Sequence, residues 1–278
     1  MHWQTARFLI DLSRPKVMGI VNLTPDSFSD GGEHATVEAG IAHCERLVEQ
    51  GADILDLGAE SSRPGATALS DDEEWARLAP VLARAVRLGV PISIDTFKPE
   101  TMRRALAEGA DLINDIHALE RPGALEAVAA VPNAGVCLMH MRGESQTMQS
   151  MAEYDDVVAE VARYLAERMQ AAKQAGIAAE RIILDPGYGF AKNSTHNLEL
   201  LRRQAELLTL GRPLLAGWSR KRTLGDLTGR PANERVAASV AAALLAVQRG
   251  ASLVRVHDVA ETVDALKVWS AVSENPAH

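Results

Sequence analysis

Short polar clusters follow apolar runs at intervals along this chain, and their residue types suit two kinds of partner. Arg63, Lys221 and Arg255 gather positive charge at three of these clusters, and His257 adds an imidazole two residues beyond Arg255. On a strand, residues two apart point to the same side, so Arg255 and His257 face one way while Val254 and Val256 face the other. Isolated Asp, Asn and Ser at such places are usually helix caps or turn residues. That reading suffices for Asp26, Ser27, Ser70, Asp115 and Asp258. It does not explain cations at the same rim. Arg63, preceded by Ser61 and Ser62 and followed by Pro64 and Gly65, can aim its donors at phosphate oxygens.

Asp95, Asn114 and Asp185 suit a different partner. A buried carboxylate is costly unless it accepts strong hydrogen bonds. A flat heterocycle with adjacent N–H and NH₂ donors, such as a 2-amino-4-oxo-pyrimidine, would satisfy one in bidentate fashion. For Asp185 alone, a buried ion pair with Lys221 is the competing reading. Three such groups on neighbouring elements favour a ligand.

The elements that must carry these groups are legible from periodicity. Short β-branched runs at 17–23, 54–57, 92–95, 112–115, 136–139, 182–185, 214–217 and 253–256 read as strands. Between them lie amphipathic, Ala-rich patterns, among them 37–50, 71–87, 99–108, 154–174 and 234–249. Gly51, Gly89, Gly109, Gly176 and Gly250 fall where helices end in a left-handed residue. Eight strand–helix units without a linker predict one α/β domain over 1–278, a TIM (β/α)8 barrel. An open doubly wound sheet is the other arrangement, but no G-x-G-x-x-G follows the first strand. The first dozen residues are expected to form a short N-terminal hairpin plugging the barrel bottom. In a barrel, chemistry sits at the C-terminal ends of the strands, where the polar clusters fall, and phosphate often binds near the last two.

A net charge of −8 argues against a general nucleic-acid or anionic-membrane surface, while one local cation cluster can still hold a phosphate. The two cysteines, Cys44 and Cys137, match no metal spacing and read as reduced core thiols, in keeping with a cytoplasmic protein. The N-terminus carries no signal-peptide pattern. The small-apolar stretch 236–247 is too short for a membrane span and reads as a buried helix or a homodimer contact.

Residues 18–32 (MGIVNLTPDSFSDGG) closely resemble the first signature of dihydropteroate synthases, and 56–65 (DLGAESSRPG) resemble the second. The segments 113–116 (INDI), 185–190 (DPGYGF), 217–221 (GWSRK) and 255–259 (RVHDV) follow in the family's order, so the likeness covers nearly the whole chain. The resemblance implies condensation of 6-hydroxymethyl-7,8-dihydropterin diphosphate with 4-aminobenzoate. It implies that Asp95, Asn114, Asp185 and Lys221 hold the pterin, with Met139 and Phe190 flanking its faces. Asn22, Ser62, Arg63, Arg255 and His257 would hold the diphosphate. Phe28, Pro64, Ser219 and Lys221 would form the aminobenzoate pocket, with Ser219 near the carboxylate. A Mg²⁺ bridging diphosphate oxygens would sit on Asn22 with Asp30, a role that needs few protein oxygens. Arg63, Lys221, Arg255 and His257 would carry catalysis. Ser62, Tyr188, Ala191 and Trp218 depart from the commonest family pattern. Of these, Ala191 is expected to restrict its loop, and Trp218 to alter the aminobenzoate side.

On this reading diphosphate leaves first, the pterin shares the positive charge left on its methylene, and the neutral arylamine then attacks without a strong general base. The loops 25–32 and 61–67 would complete the aminobenzoate pocket around diphosphate, so the pterin substrate should bind first. A methyltransferase domain moving methyl groups from a folate to a corrinoid protein shares the barrel and the Asp/Asn pterin contacts. It has no diphosphate to hold, against which Arg63 and His257 argue. A silent pterin-binding paralogue or a purely structural barrel fits less well, since no motif is broken.

Overall fold

The computed structural model describes residues 1–24, 32–60, 69–144 and 147–273. Two short strands, β1 (His2–Gln4) and β2 (Leu9–Asp11), pair antiparallel as a hairpin. Eight strands follow: β3 (Lys16–Asn22), β4 (Ile54–Gly58), β5 (Ile92–Asp95), β6 (Leu112–Asp115), β7 (Gly135–Met139), β8 (Ile182–Asp185), β9 (Leu214–Ala216) and β10 (Ala251–Val256). They pair in parallel in chain order, and β10 closes onto β3, giving the expected barrel. Barrel strands are covered on both faces, which is why they read as continuous apolar runs. β4 and β7 are buried at every position.

The helices are α1 (Gly32–Glu49), α2 (Asp71–Ala85), α3 (Pro99–Ala107), α4 (Ala124–Ala129), α5 (Val157–Gln174), α6 (Ser194–Arg202), α7 (Arg222–Thr228), α8 (Val236–Gln248) and α9 (Val259–Ser273). Their starts follow from capping chemistry. Ser70 and Glu73 form a reciprocal capping box on α2, and Asn193 accepts from the His196 N–H at the start of α6. α5 begins three residues later than its periodicity suggests, because the Asp156 carboxylate caps it through the Val158 and Ala159 N–H groups. α8 likewise starts at Val236, after a tight 3₁₀ turn at 232–234. The five helix-ending glycines all have positive φ, from 79° at Gly89 to 97° at Gly109.

The hairpin closes the barrel bottom. Trp3, Ile10 and Leu12 pack on the lowest inward residues of six strands, Met18, Ile54, Leu112, Cys137, Ile183 and Leu215, together with Leu253. The Trp3 indole N–H donates to the Arg181 carbonyl at 2.9 Å, so the buried polar atom of the plug is satisfied. Arg7 then ties the turn to the wall through two hydrogen bonds to the buried Asp111 carboxylate. Cys44 and Cys137 are both free and buried. Among the described residues no helix is long and apolar enough to cross a membrane.

Candidate active site

Inward positions of a barrel strand recur every second residue. Climbing two residues from the apolar plug converts the lining from hydrocarbon to polar groups: Ile54 gives way to Asp56, Leu112 to Asn114, Ile183 to Asp185 and Leu253 to Arg255. Above this layer opens a cavity of ≈ 1000 Å³. Its walls include Asn22, Asp95, Asn114, Met139, Asp185, Phe190, Ser219, Lys221, Arg255 and His257. Every described residue assigned to the site from the sequence therefore lines one cavity. Phe28, Asp30, Ser62, Arg63 and Pro64, and with them most of both signature loops, lie outside the described residues.

Arg255 has partners that spacing alone did not assign it. Its Nε donates to Asp56 Oδ2 at 2.6 Å and an Nη donates to Asp95 Oδ2 at 2.7 Å. Burial alone would lower the guanidinium's pKa, but Asp56 and Asp95 more than offset it and hold the proton more tightly than usual. Asp56 is buried within β4, accepts from the Asn114 amide at 3.2 Å, and leaves Oδ1 without a hydrogen-bond partner among the described residues. Burial holds the Asp95 carboxyl well above the usual range; Arg255 opposes this and Asp56 adds to it. The mouth is thus not a simple cation cluster. It is an alternating layer, with Arg255 wedged between two carboxylates. The sequence offered a signal for Asp56, a lone carboxylate inside an apolar strand, but it was not among the candidates.

Among the described residues Lys221 and Asp185 make no direct ion-pair contact, although each acts electrostatically on the other. The Lys221 ammonium lies 4.1 Å from the centroid of the Phe190 ring, a cation–π contact. Burial lowers it to about 8, with Asp185 opposing that shift. The Asp185 Oδ1 accepts from the Gly187 N–H at 2.7 Å, and burial raises this carboxyl despite that bond and the nearby lysines.

His257 and Ser219 form a pair of their own. The Ser219 hydroxyl accepts from the His257 backbone N–H at 3.1 Å and lies 2.9 Å from Nδ1. A hydroxyl has two lone pairs and one proton, so which of Ser219 Oγ and Nδ1 donates follows the imidazole's tautomer. Burial, with Arg255 adding to it, lowers His257 to about 3. Held neutral, His257 brings the mouth a ring N–H donor and an acceptor rather than a charge.

The turn carrying these residues is braced from outside the barrel. Arg220 has a left-handed φ of 59°. Its N–H donates to Ser239 at 3.0 Å, its guanidinium to Asp258 at 2.5 Å, and Arg235 donates to the Arg220 and Lys221 carbonyls. Trp218, expected to crowd the aminobenzoate side, instead turns into the core. It is buried and packs on Tyr188 with ring centroids 4.6 Å apart. Lys192 was not anticipated at all: it is buried and lines the same cavity.

Comparison with known proteins agrees with this geometry. The model of the pterin binding enzyme family matches residues 18–257. The dihydropteroate synthase of Neisseria meningitidis serogroup B is 55% identical over 279 residues, covering 98% of this chain and 98% of its own. That of Escherichia coli is 51% identical over 263 residues, covering 94% and 93%. The solved structure of Xanthomonas albilineans dihydropteroate synthase with 4-aminobenzoic acid superposes with a TM-score of 0.91 at 57% identity, over 96% of each chain. The complex of a dihydropteroate synthase from the same organism with 7,8-dihydropteroate superposes with a TM-score of 0.91 at 54% identity, over 99% of this chain and 100% of that one.

Proposed function

This chain belongs to the pterin-binding enzyme family, and on that premise we propose that it carries out the dihydropteroate synthase reaction. It joins 6-hydroxymethyl-7,8-dihydropterin diphosphate to 4-aminobenzoate, giving 7,8-dihydropteroate and diphosphate for folate synthesis. One observation carries the reading: Asp95, Asn114, Asp185 and Lys221 line the same cavity as Arg255 and His257. Hydrogen-bond acceptors for a pterin edge stand next to donors for an anion.

The carboxylate of Asp185 would accept from the pterin's amino and ring N–H groups, with Asn114 and Lys221 completing the edge and Met139 and Phe190 flanking the ring faces. Arg255, His257 and Asn22, with Ser62 and Arg63 from the loop outside the described residues, would hold the diphosphate. Among the described residues no cluster of three His, Cys, Asp or Glu could cage a metal. The single amide oxygen of Asn22 at the cavity wall suits a Mg²⁺ that takes most of its oxygens from diphosphate and water, with Asp30 as a second protein ligand. When bound, that ion would neutralise charge on the leaving group.

In the reaction the bond between the exocyclic methylene and a diphosphate oxygen breaks, and its electron pair leaves with diphosphate. The electron-rich pterin shares the positive charge left on its methylene, with Asp185 beside the ring. The amine nitrogen of 4-aminobenzoate then bonds to the methylene and loses its extra proton to water. Phe28, Pro64, Ser219 and Lys221 would border the aminobenzoate, with Ser219 near its carboxylate. If cleavage precedes attack, oxygen-18 placed in the bridging position should scramble in bound substrate before product forms; none would favour direct displacement.

The functional test is diphosphate release. It should require both substrates for steady turnover. Turnover with a methylfolate and a corrinoid protein instead would overturn the assignment. The protein would work in the cytoplasm, which keeps Cys44 and Cys137 reduced. A homodimer is also part of this reading, built on α8 and α9, where Leu245 (41% exposed), Val268 (67%) and Val272 (81%) present apolar surface. Sedimentation should give twice the chain mass, and Val268→Glu should shift it toward monomer.

A further inference from the structure

Lys192 is a buried ionisable group in the cavity wall that the reaction leaves unused. Its ammonium has no carboxylate in contact among the described residues. It is ringed by His140 Nδ1 at 2.8 Å, the Gly187 carbonyl at 3.0 Å and the Phe190 carbonyl at 3.1 Å. The three nearest acceptors match the three N–H bonds of an ammonium, the His140 carbonyl stands farther off at 3.5 Å, and burial lowers the His140 imidazole to about 2, keeping it neutral. The carbonyls belong to the turn after β8, which follows Asp185, the strand's last residue, and carries Phe190. That turn is tightly specified. Gly187 has a φ of +70°, and a Cβ there would lie 1.9 Å from the His140 carbonyl oxygen. Ala191 holds a left-handed φ of 48°, with its carbonyl accepting from the Tyr154 hydroxyl at 3.0 Å. The His140 N–H donates to the Asp185 carbonyl at 3.0 Å, so both ends of the clasp meet at Asp185.

We propose that Lys192 is a positioning residue for pterin recognition: its ammonium clasps the turn after β8 and keeps Asp185 aimed into the cavity and ionised. The inference rests on Asp185 being the pterin's carboxylate partner. Lys192, Lys221 and Arg255 all favour the charged form of Asp185, while Cys137 and Tyr188 stand close to it as neutral groups. Burial pulls the Lys192 ammonium well below its ordinary pKa, Lys221 and Arg142 add to that and Asp185 opposes it, with His140 and His196 nearby. Asp95 is not among its electrostatic partners, so removing Lys192 should move the ionisation of Asp185 selectively.

The test compares Lys192→Gln with the unaltered chain, titrating 6-hydroxymethyl-7,8-dihydropterin between about pH 5 and pH 9. Glutamine keeps two N–H donors for the carbonyls and removes the charge. With less positive charge nearby, Asp185 protonates at higher pH, so the acid limb of pterin binding should move up by about one pH unit. Affinity below that limb should fall about tenfold, while 4-aminobenzoate KM changes less than about twofold. An unmoved limb with unaltered pterin affinity would overturn the proposal. Should Lys192→Gln not fold, the Nζ nitrogen-15 shift of Lys192 in the unaltered chain decides the matter: an ammonium at neutral pH is expected, and a neutral amine would overturn it. A native chain that binds no pterin at all would instead refute the underlying reading of the site.

Discussion

Arg255 shows how one side chain can serve two ends of a site. Its guanidinium is fixed by Asp56 and Asp95 while it borders the space assigned to diphosphate. Arg255→Ala therefore removes a leaving-group contact and strands two buried carboxylates. Turnover should fall by at least about a hundredfold and stability by roughly 3 kcal/mol, the usual cost of breaking a buried pair from one side. Near-normal kcat in that variant would remove Arg255 from the diphosphate site. His257 gives a second residue-level prediction. Its folded-state pKa near 3 lies below the free value of about 6.5, so between them the unfolded chain binds the extra proton. Its contribution to stability is complete above that free value and is lost as pH falls through the window. The His257 ring resonance should show no titration between about pH 5 and pH 8, whereas a midpoint near the free value would contradict the neutral-donor role.

At the scale of elements, the site depends on turns whose backbone is set by neighbours. In Gly187→Ala, a methyl would meet the His140 carbonyl while φ stays at +70°. Activity should fall below about one per cent even if the barrel forms, because the turn bearing Asp185 must shift by more than a positioning error tolerates. Ala191→Gly should do the reverse. Relieving a left-handed alanine is worth on the order of 1 kcal/mol, and thermal unfolding should show that gain with little change in KM. These two positions also show where sequence reading succeeded and where it stopped. The strand ends were legible because a parallel barrel writes each strand as an apolar run ending in a polar residue. Helix starts slipped by two or three residues because Asp156 and the turn at 232–234 override periodicity. Lys192 was not legible, since nothing local distinguishes a solvated lysine from one whose partners come from His140, just after β7, and the turn after β8. Trp218 was misplaced for the same reason: its direction is set by Tyr188, across the loop.

The whole molecule divides its labour along the barrel axis. The bottom is closed by Trp3 and the hairpin, the middle is hydrocarbon, and polar groups begin two residues higher. Because the plug is remote from the mouth, Trp3→Ala should cost about 3–5 kcal/mol of stability and leave KM for both substrates nearly unchanged at a temperature where the chain stays folded. A large KM change at unaltered stability would mean the two ends are coupled. The central claim is that the polar layer above the plug receives the pterin. A crystal structure with 6-hydroxymethyl-7,8-dihydropterin diphosphate tests it most directly. The account predicts the pterin edge against Asp185 and Asn114, with diphosphate toward His257 and Arg255. A pterin bound elsewhere, or reversed with its diphosphate against Asp185, would contradict it.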